Sequence, residues 1–316
     1  MAIESKYFTM GPMVVSNVGD PTKYISVQSS SLSPNLAMIV GAGSGSLFNK
    51  QMYVAGSAPT LSFTSNMIRY VLETLCESGV GTLATGKNLS VWVGMTKYAV
   101  ARETNGTKIA IGTGSNLACA IPQAITVSNN GMASISVTVI PLGTSSTAPI
   151  DITASAALPT GELGSTGVFP GDMQEMWTLG EVKIEDAVVA GVSSVTINFG
   201  MNYEVMASGY AWPINAHVLS QTPSISISTT DKSVLMYTGE TYGFKAKTAN
   251  KTVSVTLNSV TSSGERTSTA IVVAVPAGFY TVNDLSLQNG SSGSVQLTVT
   301  PLYDNSDGIL DLTFPT

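Results

Sequence analysis

Two stretches of this chain match at an offset of 160 without gaps: Ser134-Ile-Ser-Val-Thr-Val-Ile-Pro-Leu142 and Ser294-Val-Gln-Leu-Thr-Val-Thr-Pro-Leu302. Carried on, Ile150-Asp-Ile-Thr153 falls on Leu310-Asp-Leu-Thr313, so that residues 134 to 153 share eight identities in twenty with their counterparts. Further upstream, Ala58-Pro-Thr-Leu-Ser-Phe-Thr64 matches Thr222-Pro-Ser-Ile-Ser-Ile-Ser228 at an offset of 164, and Ala120-Ile-Pro122 aligns with Ala274-Val-Pro276. Any two strands rich in Ser, Thr and Val look alike. Three blocks in the same order at nearly one spacing point instead to one arrangement folded twice.

The repeated unit is written in period two. Ile135, Val137 and Val139 alternate with Ser136 and Thr138; Val195, Ile197 and Phe199 alternate with Thr196 and Asn198; Val253, Val255 and Leu257 alternate with Ser254 and Thr256. Leu89-Val91-Val93 and Ile225-Ile227 continue the pattern. Such runs, broken by Gly, Asn and Pro, are half-buried strands, and Asn130-Gly131 and Asn289-Gly290 mark turns. One segment departs from it. From Ser65 to Gly79 the residues Met67, Ile68, Val71, Leu72, Leu75 and Cys76 recur at helical spacing, predicting an amphipathic helix of about three turns, capped by Ser65 or Asn66 and laid on a sheet. After Ser228 the second copy has no helix of that length.

These signals predict an all-β protein of two tandem β-sandwich domains, residues 1–155 and 177–316, with one flanking helix in the first. Residues 156–176, rich in Ala, Gly, Pro, Ser and Thr, read as an extended connector. Gly41-Ala-Gly-Ser-Gly-Ser46 reads as part of a long loop of the first half.

Composition narrows the function. Charged residues make up 11% of the 316, apolar ones 43%, and the net charge is −6. A surface this poor in charge is expected to be covered in part by other copies of the chain, because interface cores are depleted in charged groups. No basic patch is present to grip phosphates, which argues against tight nucleic-acid binding. No apolar run reaches bilayer length, and the opening residues MAIESKYFTMGPMVV lack the basic and apolar regions of a secretory leader. Cys76 and Cys119, the only cysteines, read as buried reduced thiols of a protein made in the cytosol.

Catalytic patterns fail one by one. His217 is the single histidine and has no nucleophile signature nearby. Gly41-x-Gly43-x-Gly45 is not followed by a helical pattern, and Gly86-Lys87 lacks the rest of a phosphate loop. Asp304-Asn-Ser-Asp-Gly308 begins like a calcium loop, but Pro315 stands where its bidentate Glu belongs. The expectation is a protein that is not an enzyme, with no catalytic, cofactor or metal residues.

Trp177-Thr-Leu-Gly180, then Val189-Ala-Gly-Val-Ser-Ser-Val-Thr-Ile-Asn-Phe-Gly200, then Ala211-Trp-Pro213 and the Pro223–Ile227 strand resemble the tail tube proteins of long-tailed bacteriophages. The first half joins this resemblance only through the repeat. The resemblance implies six tube domains per ring, a continuous β-barrel as the inner wall, and rings stacked into a conduit through which DNA passes during ejection. It further implies tape measure, baseplate and terminator proteins as partners, assembly in the host cytoplasm and residence in the virion tail. Two such domains per chain imply trimeric rings of pseudo-sixfold symmetry. The long loops Pro34–Gly56 and Asn202–Gln221 would then join stacked rings. A capsid decoration or other shell protein, and a carbohydrate-binding or adhesive β module, share much of this composition and stay open. An adhesive module would want grouped exposed aromatics, whereas Trp92, Trp177 and Trp212 are scattered along the chain.

Overall fold

The computed structural model describes residues 6–17, 23–25, 27–42, 49–76, 87–97, 101–102, 105–111, 118–157, 176–207, 209–239, 251–261, 263–287, 292–303 and 309–315. Its strands in the first half are β1 (Lys6–Asn17), β2 (Lys23–Ile25), β3 (Val27–Ser33), β4 (Leu36–Ala42), β5 (Asn49–Ser57) and β6 (Thr60–Ser65). β7 (Lys87–Lys97), β8 (Ala101–Arg102), β9 (Asn105–Ile111), β10 (Ala118–Ser128), β11 (Ser134–Pro141) and β12 (Ile150–Ala157) complete it. The second half holds β13 (Trp177–Ile184), β14 (Ala187–Val188), β15 (Val192–Asn198), β16 (Met201–Met206) and β17 (Asn215–Gln221). β18 (Ser224–Thr229), β19 (Lys251–Val260), β20 (Arg266–Ser286), β21 (Ser294–Pro301) and β22 (Asp311–Thr313) follow. The protein is all-β, and every pairing is antiparallel.

One pairing scheme occurs twice. In the first half β3-β6-β11-β10 form one run, and β12-β9-β7-β1-β2 another; in the second half β15-β18-β21-β20 and β22-β20-β19-β13-β14 repeat them. β20 takes the places of both β9 and β10: its N-terminal part pairs with β19 and β22, its C-terminal part with β21. The changeover falls at Gly278, which pairs with both Lys251 and Pro301. A Cβ there would lie 3.0 Å from Cγ1 of both Val275 and Val299, so the crossing leaves little room for a side chain.

The repetition extends to the irregularities. β3 slips against β6 between Val27 and Ser29, and β15 slips against β18 between Val192 and Ser194. β10 slips against β11 between Pro122 and Ala124; β20 slips against β21 between Val282 and Asp284. β1 slips against β7 between Met10 and Met13, and β13 against β19 between Leu179 and Val182. The hairpin β4–β5 slips between Ala37 and Met38, and the hairpin β16–β17 between Asn202 and Tyr203. A bulge is a specific local deformation. Four matched pairs of them are far stronger evidence than similar strand composition.

These registers support two of the aligned sequence blocks and correct the third. Ala120 pairs with Val139 as Tyr280 pairs with Val299, so Ala120 matches Tyr280 at an offset of 160. Ala274 pairs with Ser254 and Asp311, as Ala110 pairs with Ser90 and Asp151. Ala274-Val-Pro276 therefore corresponds to the end of β9, not to Ala120-Ile-Pro122. The second half threads continuously where the first has residues 112–117 between two strands, and the offset drops from 164 to 160 there.

The predicted helix is shorter. A turn at Ile68–Tyr70 widens into a π turn over Val71–Leu75, closed by the Cys76 N–H on the Val71 carbonyl at 3.2 Å. Its stripe is as expected: Met67, Ile68, Val71, Leu72, Leu75 and Cys76 are all buried. The Ser65 hydroxyl accepts the Met67 N–H at 3.1 Å, and Gly79 lies outside the described residues. The equivalent place in the second half is a 3-10 segment, Lys232–Gly239, entered where the Thr229 hydroxyl accepts the Asp231 N–H at 3.0 Å. One core unites side chains of both sheets and the helix, among them Val91, Ile111, Leu61, Val71, Ile135 and Ile197.

The connector begins later than predicted, since β12 runs to Ala157; residues 158–175 lie outside the described residues, as do Asn289-Gly290 and Asp304–Gly308. The two long loops are β-hairpins, with Gly41 and Ala42 inside β4 and residues 43–48 outside the described set.

Candidate assembly surfaces

The halves are joined by main chain. β10 pairs with β15 in the register Ala124↔Asn198, Ile125↔Ile197, Thr126↔Thr196, Val127↔Val195 and Ser128↔Ser194. β3-β6-β11-β10-β15-β18-β21-β20 is consequently one eight-stranded antiparallel run made of two equivalent four-strand units. Its two ends are open among the described residues. β3 ends the run on one side, and the C-terminal part of β20, from Gly278 to Ser286, has β21 on one edge only.

The two faces of this run differ in chemistry. One is the core face, carrying residues such as Phe63, Val137, Ile197, Ile227 and Leu297, all of them buried. The other carries hydroxyls and amides in cross-strand rows, with an apolar patch of Cys119, Ile121 and Ile140 toward one end of β10 and β11. Thr126, Thr196, Ser226, Thr298 and Thr281 form one row, and Ser128, Ser194, Ser228 and Gln296 another, which ends at Asp284. Neighbouring hydroxyls bond to each other: Ser29 with Thr64 at 2.7 Å, Thr126 with Ser134 at 3.0 Å. Among the described strand residues on this face, Asp284 is the one charged side chain. The period-2 sequence dictates this: Ser and Thr fit a pleated surface while leaving it neutral.

The hairpin β16–β17 of the second half lies over the first half. Its Ala216 is buried, and with Met201 and Tyr203 it packs on Cys119, Ile121, Ile140 and Leu142. Backbone bonds lock the turn region: the Ser57 N–H donates to the Ala211 carbonyl at 2.7 Å, and the Gly143 N–H to the Pro213 carbonyl at 2.8 Å. Trp212 Nε1 donates to the Thr144 carbonyl at 2.7 Å, and a Cβ on Gly143 would lie 2.5 Å from the indole ring. The loop expected to join stacked rings is thus first of all a clamp between the halves of one chain. The hairpin β4–β5 has the same register but no such cover among the described residues. Leu36, Met38, Ile39, Val40, Met52, Tyr53 and Val54 are exposed on it.

Titratable side chains form isolated pairs, among them Lys251 with Glu185 and Arg69 with Glu73. His217 sits on β17, 3.6 Å from the Glu204 carboxylate, in partly exposed surroundings. Among the described residues no cluster of three His, Cys, Asp or Glu is present. Cys76 and Cys119 are both buried, and burial pushes the Cys119 thiol up to about 11. Trp177 is buried and Trp212 partly buried by the first half; the Trp92 side chain is outside the described set. The cavity beside Trp212 is lined by Leu32, Pro34, Pro59, Ile150 and Ile152, which offer contact area but no chemistry. No helix among the described residues is long and apolar enough to cross a membrane. No protein-family model matches the chain, and no curated protein matches it either.

Proposed function

We propose that this protein is a self-assembling structural subunit of a phage tail tube, closing as rings of three chains that stack into a hollow conduit for DNA. The observation that carries this reading is the eight-stranded run with two open ends, built from two equivalent units. An open edge of this length is an aggregation hazard unless something pairs with it. Closure into a barrel removes both edges. Three chains supply twenty-four strands, and at a strand spacing of ~4.8 Å the backbone barrel would be roughly 37 Å across before tilt widens it. That leaves room for a DNA duplex.

The face chemistry fits the same role. The core face is covered by the second sheet layer and the helix, so the part of the hydroxyl and amide face clear of the hairpins, with Ser194, Thr196, Ser226 and Ser228, lines the bore. Without Lys or Arg among the described strand residues of this face there is no counterion release there to drive phosphate binding, and the polar wall stays wetted. DNA can slide past without being held. The second apolar face of β4–β5, with Ile39 and Tyr53 where the other hairpin has Glu204 and His217, remains available for stacking on the next ring. In this reading tape measure, baseplate and terminator proteins are the partners at the tube's core and ends, and assembly takes place in the host cytoplasm.

Electron microscopy of the concentrated protein tests the function. Hollow stacked tubes are expected. Persistent monomers would overturn the tube reading in favour of a decoration or binding module.

A further inference from the structure

The contact between the halves is a finished interface, and half of the same interface is present again, unfilled, at each end of the chain. β15 and hairpin β16–β17 are the inserting side; β10, β11 and Leu142 are the receiving side. The repeat registers map the inserting side onto β3 and hairpin β4–β5, and the receiving side onto the C-terminal part of β20, β21 and Leu302.

We propose that a second copy of this chain fills each open half, with β3 pairing with β20 of its neighbour in the register Leu32↔Leu285 and Ser31↔Ser286, and with hairpin β4–β5 seated on the neighbour's β20 just after Gly278 and on the end of its β21. This rests on the ring reading above and specifies its joint. The register is that of Ile197↔Ile125 and Thr196↔Thr126 carried through the repeat. Seating the hairpin puts Leu36, Met38 and Met52 where Met201, Tyr203 and Ala216 stand in the internal joint.

Exposure in the single chain argues for the missing neighbour. Ala216 is 0% exposed and its equivalent Met52 is 65% exposed; Leu142 is 6% exposed and its equivalent Leu302 is 40% exposed. Leu285 is only partly covered by the core at the open edge. The packing residues differ between the two joints. Cys119, Ile121 and Ile140 on the internal receiving side become Phe279, Thr281 and Thr300 on the outer one, while Tyr203 and Ala216 on the inserting side become Met38 and Met52. Each side loses bulk at some positions and gains it at others, so the outer joint is a repacked version of the internal one. An apolar hairpin exposed on both faces is otherwise unstable against aggregation.

The test is disulfide trapping in the full-length protein. Paired antiparallel residues bring their Cα atoms to ~4.5–5.5 Å, within disulfide range. Ser31→Cys with Ser286→Cys, oxidised under assembly conditions, should give covalently closed trimers on non-reducing gels. Either substitution alone, and the off-register pair Ser29→Cys with Ser286→Cys, should give none. The native cysteines are buried and do not compete. Met52→Asp, placed on a hairpin exposed in the single chain, should leave the melting temperature unchanged and abolish the trimers. If rings form in the microscope while the two introduced thiols stay reduced or the off-register pair couples instead, the joint is overturned and the tube reading stands. If Met52→Asp assembles like the parent, the hairpin seat is overturned. If neither rings nor cross-links appear, both readings fall.

Discussion

At the residue scale the chain repeats solutions as well as patterns. Gly200 enters hairpin β16–β17 with φ +58°, and Asn35 enters hairpin β4–β5 with φ 41°; each carbonyl accepts an N–H from the far side of its hairpin, Thr222 at 2.9 Å and Ala58 at 3.2 Å. Left-handed backbone favours Gly and Asn because a Cβ is costly there. At Gly200 a Cβ would also fall 1.9 Å from the Thr222 carbonyl oxygen. Gly200→Ala should therefore cost at least about 2 kcal/mol in denaturant unfolding, well beyond the effect of Asn35→Gly, which keeps the backbone and loses the Asn35 amide bonds to Ala58 and Thr60. Asp231 supports a pH prediction. Its carboxylate accepts from the Ser233 hydroxyl at 2.6 Å, the Ser233 N–H at 2.8 Å and the Ala190 N–H at 3.1 Å, and these bonds hold it below the ordinary value of 3.8. A depressed carboxylate contributes stability above its unfolded pKa and loses it as pH falls through the folded one. The melting-temperature gap between the parent and Asp231→Asn should be present at pH 7 and close below pH 3.8.

At the element scale, the core faces were legible. Alternation placed Ile135, Val137, Val139, Val253, Val255 and Leu257 inside, and all are buried. The helical stripe was legible for the same reason, because period is a local property of sequence. The π turn that shortens the helix was not, since widening a turn keeps the same residues on the buried side. In the sequence the hairpins read as loops because the glycines near Gly41 and the Trp212-Pro213 turn mask the short strands beside them. The strand that joins the halves was beyond the sequence altogether: alternation says which side of β10 is buried, never which strand lies beside it. Trp212 is the clearest missed residue. It looked like one of three scattered tryptophans and proves to be the peg of the internal joint. Its one signal is Gly143, placed where only hydrogen leaves room for an indole. Trp212→Ala should cost about 2–3 kcal/mol and raise hydrogen exchange across Asn215–Gln221, with little change in β11.

At the scale of the whole molecule, two halves that share one sheet make a subunit with an end that inserts and an end that receives. A heterologous joint of this kind closes into a ring if the rotation per copy divides the circle, and otherwise runs on as a filament. The internal β10–β15 joint would fix that rotation if the proposed outer joint repeats it. In the proposed ring the low charge of the chain would follow from its surroundings, because edges, hairpin and bore would each be covered or shielded. The most direct test is cryo-electron microscopy of the assembled protein, read for ring symmetry. Rings of three chains, with twenty-four strands around the bore and alternating internal and outer joints, are the expected result. Rings of six chains, or joints in which β3 and β20 stay apart, would contradict it.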